Sequence, residues 1–70
     1  MYPNQQLKGA QAERGMTVED VAREASLSVT TVVAIRQGKE NIKLASLDAF
    51  ARAVGLKPVI SFQPMTEARG

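Results

Sequence analysis

The 70-residue chain contains no cysteine and no histidine. Disulfide bonds, thiol nucleophiles, imidazole bases and the usual zinc ligand sets are therefore excluded. The acidic residues are scattered, as is typical of solvated helix surfaces, and form no catalytic constellation. Examples are Glu13, Glu19, Asp20 and Glu24. We expect the protein to have no enzymatic activity and to bind neither a cofactor nor a metal ion.

Long hydrophobic runs are also absent, since no apolar stretch approaches the ~18 to 20 residues that span a membrane. The N-terminus lacks the basic start and apolar stretch of a secretory signal. The sequence therefore predicts a soluble, cytoplasmic protein with no membrane partner. Its content of 44% hydrophobic and 23% charged residues is typical of a globular domain. The net charge of +2 agrees with a polyanionic partner without requiring one.

Three of the five glycines each follow a segment with helical hydrophobic spacing. Gly15, Gly38 and Gly55 stand where the left-handed end of a helix favours glycine, because glycine has no Cβ to clash there. The first helical segment covers roughly residues 5–14. Gly9 lies inside it, which weakens the prediction unless a neighbouring helix approaches closely at that point.

Two short helices follow, and each has a recognisable start. Thr17 precedes an acidic residue, Asp20, by three positions, which is an N-terminal capping signature. Ser28 is a good N-cap for the next helix, whose apolar residues Val32 and Ile35 are three positions apart. The two helices are joined by a turn of only three to four residues, an arrangement that lays the second helix into the major groove of duplex DNA.

A fourth helix is predicted after a polar, partly basic segment. Ser46 is the expected N-cap, and Leu47, Phe50, Ala51 and Val54 follow at helical spacing. These positions predict an apolar face that turns toward the other three helices.

Beyond this helix the period changes to the alternation of a half-buried strand over residues 56–63. No second strand is predicted, so the backbone of this strand needs a partner, and pairing with its own copy across a homodimer is the simplest solution. The predicted dimerisation residues are Leu56, Pro58, Val59, Ile60, Ser61 and Phe62. Residues 1–63 then form one domain, and residues 64–70 a flexible tail.

Residues 17–39 resemble the helix-turn-helix of the lambda-repressor and Cro-like family, often called XRE. The matching residues are Ala22, Leu27, Ser28, Thr31, Val32, Ile35, Gly38 and Lys39. Residues 46–56 resemble the helix that follows in that family. The resemblance implies a mainly α fold: a four-helix lambda-repressor-like domain, here with one C-terminal β-strand added.

The resemblance also implies which side chains reach the base edges of DNA. They are Val29, Thr30 and Ala34, with Val33 adjacent on the exposed face. These residues are apolar for such a role and lack the Gln or Arg that pairs with a base through two hydrogen bonds. The alternative interpretation is that Val29 and Val33 pack against another protein.

The sequence offers more candidate residues for phosphate contacts than for base reading. Candidate groups are the N-terminus of the second helix, two hydroxyls beside the third helix and the polar segment after it. The residues are Thr17, Val18, Ser28, Thr31, Arg36, Lys39, Asn41 and Lys43. The alternative is that the cations form an ordinary solvated loop.

Two positions depart from the family pattern. Arg36 stands where the family commonly has a glutamate paired with an arginine of the first helix, and the first-helix position here is Gln11. The sequence therefore predicts that this ion pair is missing and that Arg36 is free for phosphate. Ser26 replaces the glycine common in the turn, which predicts a strained backbone.

These observations favour a homodimeric transcriptional regulator, most simply a repressor, that binds double-stranded DNA at a pseudo-palindromic operator. Its two recognition helices would enter major grooves about 34 Å apart. The terminal strand also resembles that of antitoxins of type II toxin-antitoxin pairs, which makes an autorepressing antitoxin with a toxin partner the first alternative. The second is a helix-turn-helix module that binds protein and no DNA.

Overall fold

The computed structural model describes residues 3–57, which form four α-helices. They are α1 (Asn4–Glu13), α2 (Val18–Ala25), α3 (Val29–Arg36) and α4 (Leu44–Ala53). The predicted mainly helical architecture is confirmed. None of these four helices is long and apolar enough to cross a membrane. Residues 3–57 contain no strand, and the positions that carry most of the predicted strand and tail, 58–70, lie outside the described residues.

The helix starts predicted at Thr17 and Ser28 are confirmed. The Thr17 hydroxyl accepts a hydrogen bond from the Asp20 N–H at 3.0 Å, and the Asp20 carboxylate accepts one from the Thr17 N–H at 2.9 Å. The Ser28 hydroxyl accepts from the Thr31 N–H at 3.1 Å. Because these bonds satisfy N–H groups that have no partner inside the helix, they fix where α2 and α3 begin.

The turn between α2 and α3 has the strained backbone predicted for it. Ser26 adopts the left-handed conformation with φ 57° and ψ 40°. The next N–H, that of Leu27, donates to the Ala22 carbonyl at 2.9 Å and closes the end of α2. A residue with a Cβ in this conformation costs roughly 1 to 2 kcal/mol, so the turn is made at the expense of stability.

One hydrophobic core lies between the four helices. It is formed by Leu7, Val21, Ala22, Val32, Ile35, Phe50, Ala51 and Val54. Helix α2 packs against both α3 and α4, and α1 packs against α3. Gly9 has open space where a Cβ would lie, so no neighbouring helix approaches α1 at that point. Because α3 packs against the other helices on one side, its opposite side faces outward.

The predicted start of α4 is wrong. The helix begins at Leu44, and Lys43 precedes it in an extended conformation without a side-chain cap. The Lys43 carbonyl accepts from the N–H groups of Ser46 and Leu47 at 3.0 and 3.2 Å, which places Ser46 inside the first turn. Leucine and alanine are strong helix formers, so residues 44 and 45 extend the helix in front of the serine.

Leu56, the first residue of the predicted dimerisation strand, makes its contacts within the domain. Its N–H donates to the Ala51 carbonyl at 2.8 Å, and its side chain packs against the core. Gly55 precedes it with a positive φ of 83°, as predicted for a glycine that ends a helix. Leu56 therefore belongs to the closing turn of α4, and the remaining strand positions lie outside the described residues.

Candidate nucleic-acid interface

The side of α3 opposite the core carries every residue that the resemblance assigned to base reading. We call Val29, Thr30, Val33 and Ala34 the outer face of α3. Val29 is 42% exposed and Val33 37% exposed, whereas Val32 on the same helix is fully buried. Thr30 is exposed and Ala34 half-buried. The outer face thus offers valine methyl groups and one hydroxyl to whatever contacts it.

Two hydroxyls predicted to bind phosphate lie together at the start of α3. The Ser28 hydroxyl donates to the Thr31 hydroxyl at 2.9 Å while accepting from the Thr31 N–H. The Ser28 hydrogen is therefore used within the protein. The Thr31 hydroxyl accepts in this bond, so its own hydrogen is the one that can be donated to a phosphate.

The start of α2 is a weaker phosphate site than the sequence suggested. Its capping box already uses the N–H groups of Thr17 and Asp20, which leaves those of Val18 and Glu19 in the first turn. The pKa of the Asp20 carboxyl lies below its ordinary value of 3.8, mainly because the Thr17 N–H donates to it and secondly because Arg23 does. Asp20 is therefore ionised at neutral pH and repels a phosphate.

The connection between α3 and α4 holds the remaining predicted phosphate ligands. Lys39, Asn41 and Lys43 are all exposed, and so is Glu40 between them. The Lys39 N–H donates to the Ala34 carbonyl at 3.2 Å, which ties the start of the connection to the end of α3. Two lysines against one glutamate leave the connection with a single net positive charge.

Arg36 is not free, contrary to the prediction from sequence. Its Nη1 donates to Gln11 Oε1 at 2.6 Å, and Gln11 Nε2 donates to the Met16 carbonyl at 3.0 Å. Asn4 Nδ2 donates to the Arg36 carbonyl at 2.9 Å. Gln11 is only 3% exposed, so the family's expected ion pair is replaced by a buried amide that anchors the end of α3 to α1. A phosphate could reach only the other guanidinium N–H groups.

Sequence reasoning missed the structural roles of Gln11 and Asn4. Gln11 follows the core residue Leu7 by four positions, and this spacing would have placed it on the inner side of α1. No signal of comparable strength marked Asn4, whose partner lies 32 residues away. Sequence reasoning also missed Leu44, which is 63% exposed at the start of α4.

A second surface feature is an open groove between α2 and α4. It is lined by Arg14, Glu24, Ala25, Asp48, Ala49, Arg52 and Ala53. Its two arginines and two carboxylates balance, so it has no preference for a polyanion. No group of three or more acidic, histidine or cysteine side chains within residues 3–57 is placed to hold a metal ion.

Comparison with known proteins gives one finding. The family model of the Cro/C1-type HTH DNA-binding domain matches residues 6–59, which include all four helices except the first residues of α1. No curated protein and no solved structure matches the chain.

Proposed function

Because the chain belongs to the Cro/C1-type helix-turn-helix DNA-binding family, we propose that it is a sequence-specific regulator of transcription that binds duplex DNA as a homodimer. Repression, by covering a promoter, is the mode of action that such a small domain performs without further parts. The outer face of α3 enters the major groove, and the groups around it hold the phosphate backbone.

The observation that carries this proposal is how α3 is held at both ends and which charges surround it. The helix is capped at its start by Ser28 and anchored at its end by the Arg36 contact to Gln11. Its outer face carries no acidic side chain, and the connection with Lys39 and Lys43 follows it directly. A rigid helix with an uncharged outer face beside cations suits the major groove, where base edges are flanked by phosphates.

Selection of bound sequences from random duplex DNA tests the proposal, followed by titration of the best site at several salt concentrations. We expect a pseudo-palindromic site and a steep loss of affinity with salt. Lys39→Ala and Lys43→Ala should each reduce the salt slope by about 1.8, because each substitution removes one phosphate contact from each of the two subunits and one contact is worth about 0.9. Lys57→Ala removes an exposed cation outside the connection and serves as the matched control. Failure to enrich any sequence would refute DNA reading.

Homodimerisation through residues 58–63 is the part of the proposal that lies outside the described residues. In the predicted strand, Pro58 has no N–H, so the side of the strand that it shares with residue 60 cannot be the side that pairs through N–H groups. Ser61 is on the other side, and a proline there removes an N–H that a paired strand must donate. Ser61→Pro should therefore give a monomer in sedimentation analysis and weaken binding to the two-half-site operator. Met65→Pro, in the predicted tail, is the matched control and should stay dimeric. A dimeric Ser61→Pro variant would exclude this strand as the dimer contact.

One observation favours a second candidate function. Val29 and Val33 are exposed apolar side chains within one turn of each other, which is also the character of a protein-docking surface. A helix-turn-helix that binds only protein would select no DNA sequence and show no salt-dependent binding to duplexes. The selection experiment therefore separates the two candidates, and a toxin partner would be sought only among proteins that bind this face or the tail.

A further inference from the structure

We infer that the outer face of α3 recognises C5-methyl groups of pyrimidines in the major groove, carried by thymine or by 5-methylcytosine. This inference rests on the proposed function and names what that site reads. Val29 and Val33 are its two contact residues, with exposed fractions of 42% and 37%.

A structural role does not explain these two valines. The core side of α3 is filled by Val32 and Ile35, both fully buried, so the fold does not need apolar residues on the opposite side. Valine is also a poorer helix former than alanine, and α3 has only eight residues. Two valines on its exposed side therefore lower the stability of the helix. Their exposed apolar area adds nothing to the stability of the fold. Both observations point to a contact outside the domain.

The chemistry of the outer face selects the methyl group among the features of a base edge. Valine can neither donate nor accept a hydrogen bond, so it leaves the amino, carbonyl and ring-nitrogen groups of bases unsatisfied. The C5-methyl group is the one apolar group that a base pair presents in the major groove. The β-branched side chain has nearly one rotamer in a helix, so its methyl groups are already placed and lose little entropy on binding.

The spacing of the two valines fits base pairs about two steps apart. Positions four apart in a helix are separated by about 6 Å along its axis. Base pairs are stacked about 3.4 Å apart, so the two contacts fall about two steps apart along the groove. The small Ala34 beside them lets α3 approach the base edges, and Thr30 is the one residue of this face whose side chain can form a hydrogen bond.

The charge around the outer face favours DNA over a protein as the partner that covers it. The connection that follows α3 has a net positive charge, and the Arg36 guanidinium lies at the end of the helix. An apolar strip bordered by cations matches a methyl-bearing groove bordered by phosphates.

The test uses the full chain and the site obtained by selection. At each pyrimidine of a half-site, four duplexes are compared, with T·A, U·A, 5-methylcytosine·G or C·G at that position. Uracil differs from thymine only by the missing methyl group. We expect removal of the methyl to weaken binding about fourfold at each contacted position, in both the T/U and the 5-methylcytosine/C comparison. The tighter of T·A and 5-methylcytosine·G then identifies the source of the methyl group.

The variant Val29→Ala/Val33→Ala removes the contact groups while retaining the helix, since alanine favours helix more than valine does. We expect its T/U and 5-methylcytosine/C ratios to fall to about 1. Leu44→Ala removes an exposed apolar side chain from α4 and should keep the wild-type ratios. A selected site whose affinity is the same with uracil at every position, or ratios that survive in the double variant, would overturn methyl reading while leaving the proposed function intact. If no DNA is selected, the proposed function fails first, and methyl reading with it.

Discussion

Replacement of the buried Gln11 by methionine tests the contact that anchors α3. Methionine has nearly the length and volume of glutamine, so the core stays filled, but both hydrogen bonds of the amide are lost. One of them joins Gln11 to the charged Arg36 at 2.6 Å, and the other joins it to the Met16 carbonyl at 3.0 Å. A neutral bond contributes about 1 kcal/mol and a bond to a charged group about 1.5 to 3, which sets the loss near 2.5 to 4 kcal/mol.

This loss is large for a chain of this size, whose free energy of unfolding is on the order of 4 to 10 kcal/mol. Urea unfolding followed by circular dichroism at 222 nm measures it directly, and the melting temperature should fall by about 10 to 30 °C. Gln5→Met on the exposed side of α1 is the matched control and should stay within about 0.5 kcal/mol of the wild type. If Gln11→Met is equally harmless, the buried amide does not anchor α3.

A pair of charge substitutions tests whether Gln11 contacts Arg36 directly. Gln11→Arg places two guanidinium groups against each other and should destabilise the fold. Adding Arg36→Glu creates an ion pair of the kind that is common in the family. We expect the double variant to be more stable than Gln11→Arg alone by about 1 kcal/mol or more, because residues in direct contact are not additive. A double variant that is less stable than either single one would contradict the contact.

Three further predictions concern local structure and are checked by the same unfolding measurement. Gly9→Ala should stabilise the protein by about 1 kcal/mol, because Gly9 lies inside α1 with open space for a Cβ, and a loss would mean that α1 needs a glycine there. Ser26→Gly should stabilise by about 0.5 to 1 kcal/mol by relieving the positive φ, whereas Ser28→Ala should cost about 1 kcal/mol by removing the α3 cap; the opposite order would disprove both assignments. Since the pKa of Asp20 is lowered from 3.8 in the folded protein, its ionised form stabilises the fold above pH 3.8, and this contribution is lost as the pH falls through the lowered pKa. Asp20→Asn should therefore weaken the loss of stability in acid, and an unchanged acid profile would show that the capping box does not hold the carboxylate.

Local signals in the sequence were sufficient for most of the fold. The caps at Thr17 and Ser28 act on N–H groups three residues away, and the glycines that follow α1, α3 and α4 each adopt the positive φ that ends a helix. The strained turn at Ser26 was predicted from the family resemblance, since many members have a glycine at that position. The resemblance carried by residues 17–39 and 46–56 is confirmed by the family match over residues 6–59.

The predictions that fail concern segments in which a second interaction competed with the one that the local sequence suggested. Ser46 is a good cap by type, but the helix-forming Leu44 and Ala45 in front of it continue α4 by one more turn. Leu56 fits the alternation of a strand, yet the end of α4 takes its N–H and the core takes its side chain. Propensity and period describe what a segment can do, and neighbouring groups decide which option is realised.

The sequence by itself determined the number of helices and the starts of α2 and α3, because each follows from interactions within about four positions of the chain. The residues of α3 that face outward were implied by the family resemblance of the sequence. The tertiary structure alone decided that Arg36 is held by Gln11 and Asn4, partners 25 and 32 residues away. Such contacts depend on how α1 packs against α3, and a helical pattern sets only which side of a helix is buried and not which side chain it meets there. For this reason the outer face of α3 was predicted from the sequence, and the contacts of Gln11 and Asn4 that anchor this helix were not.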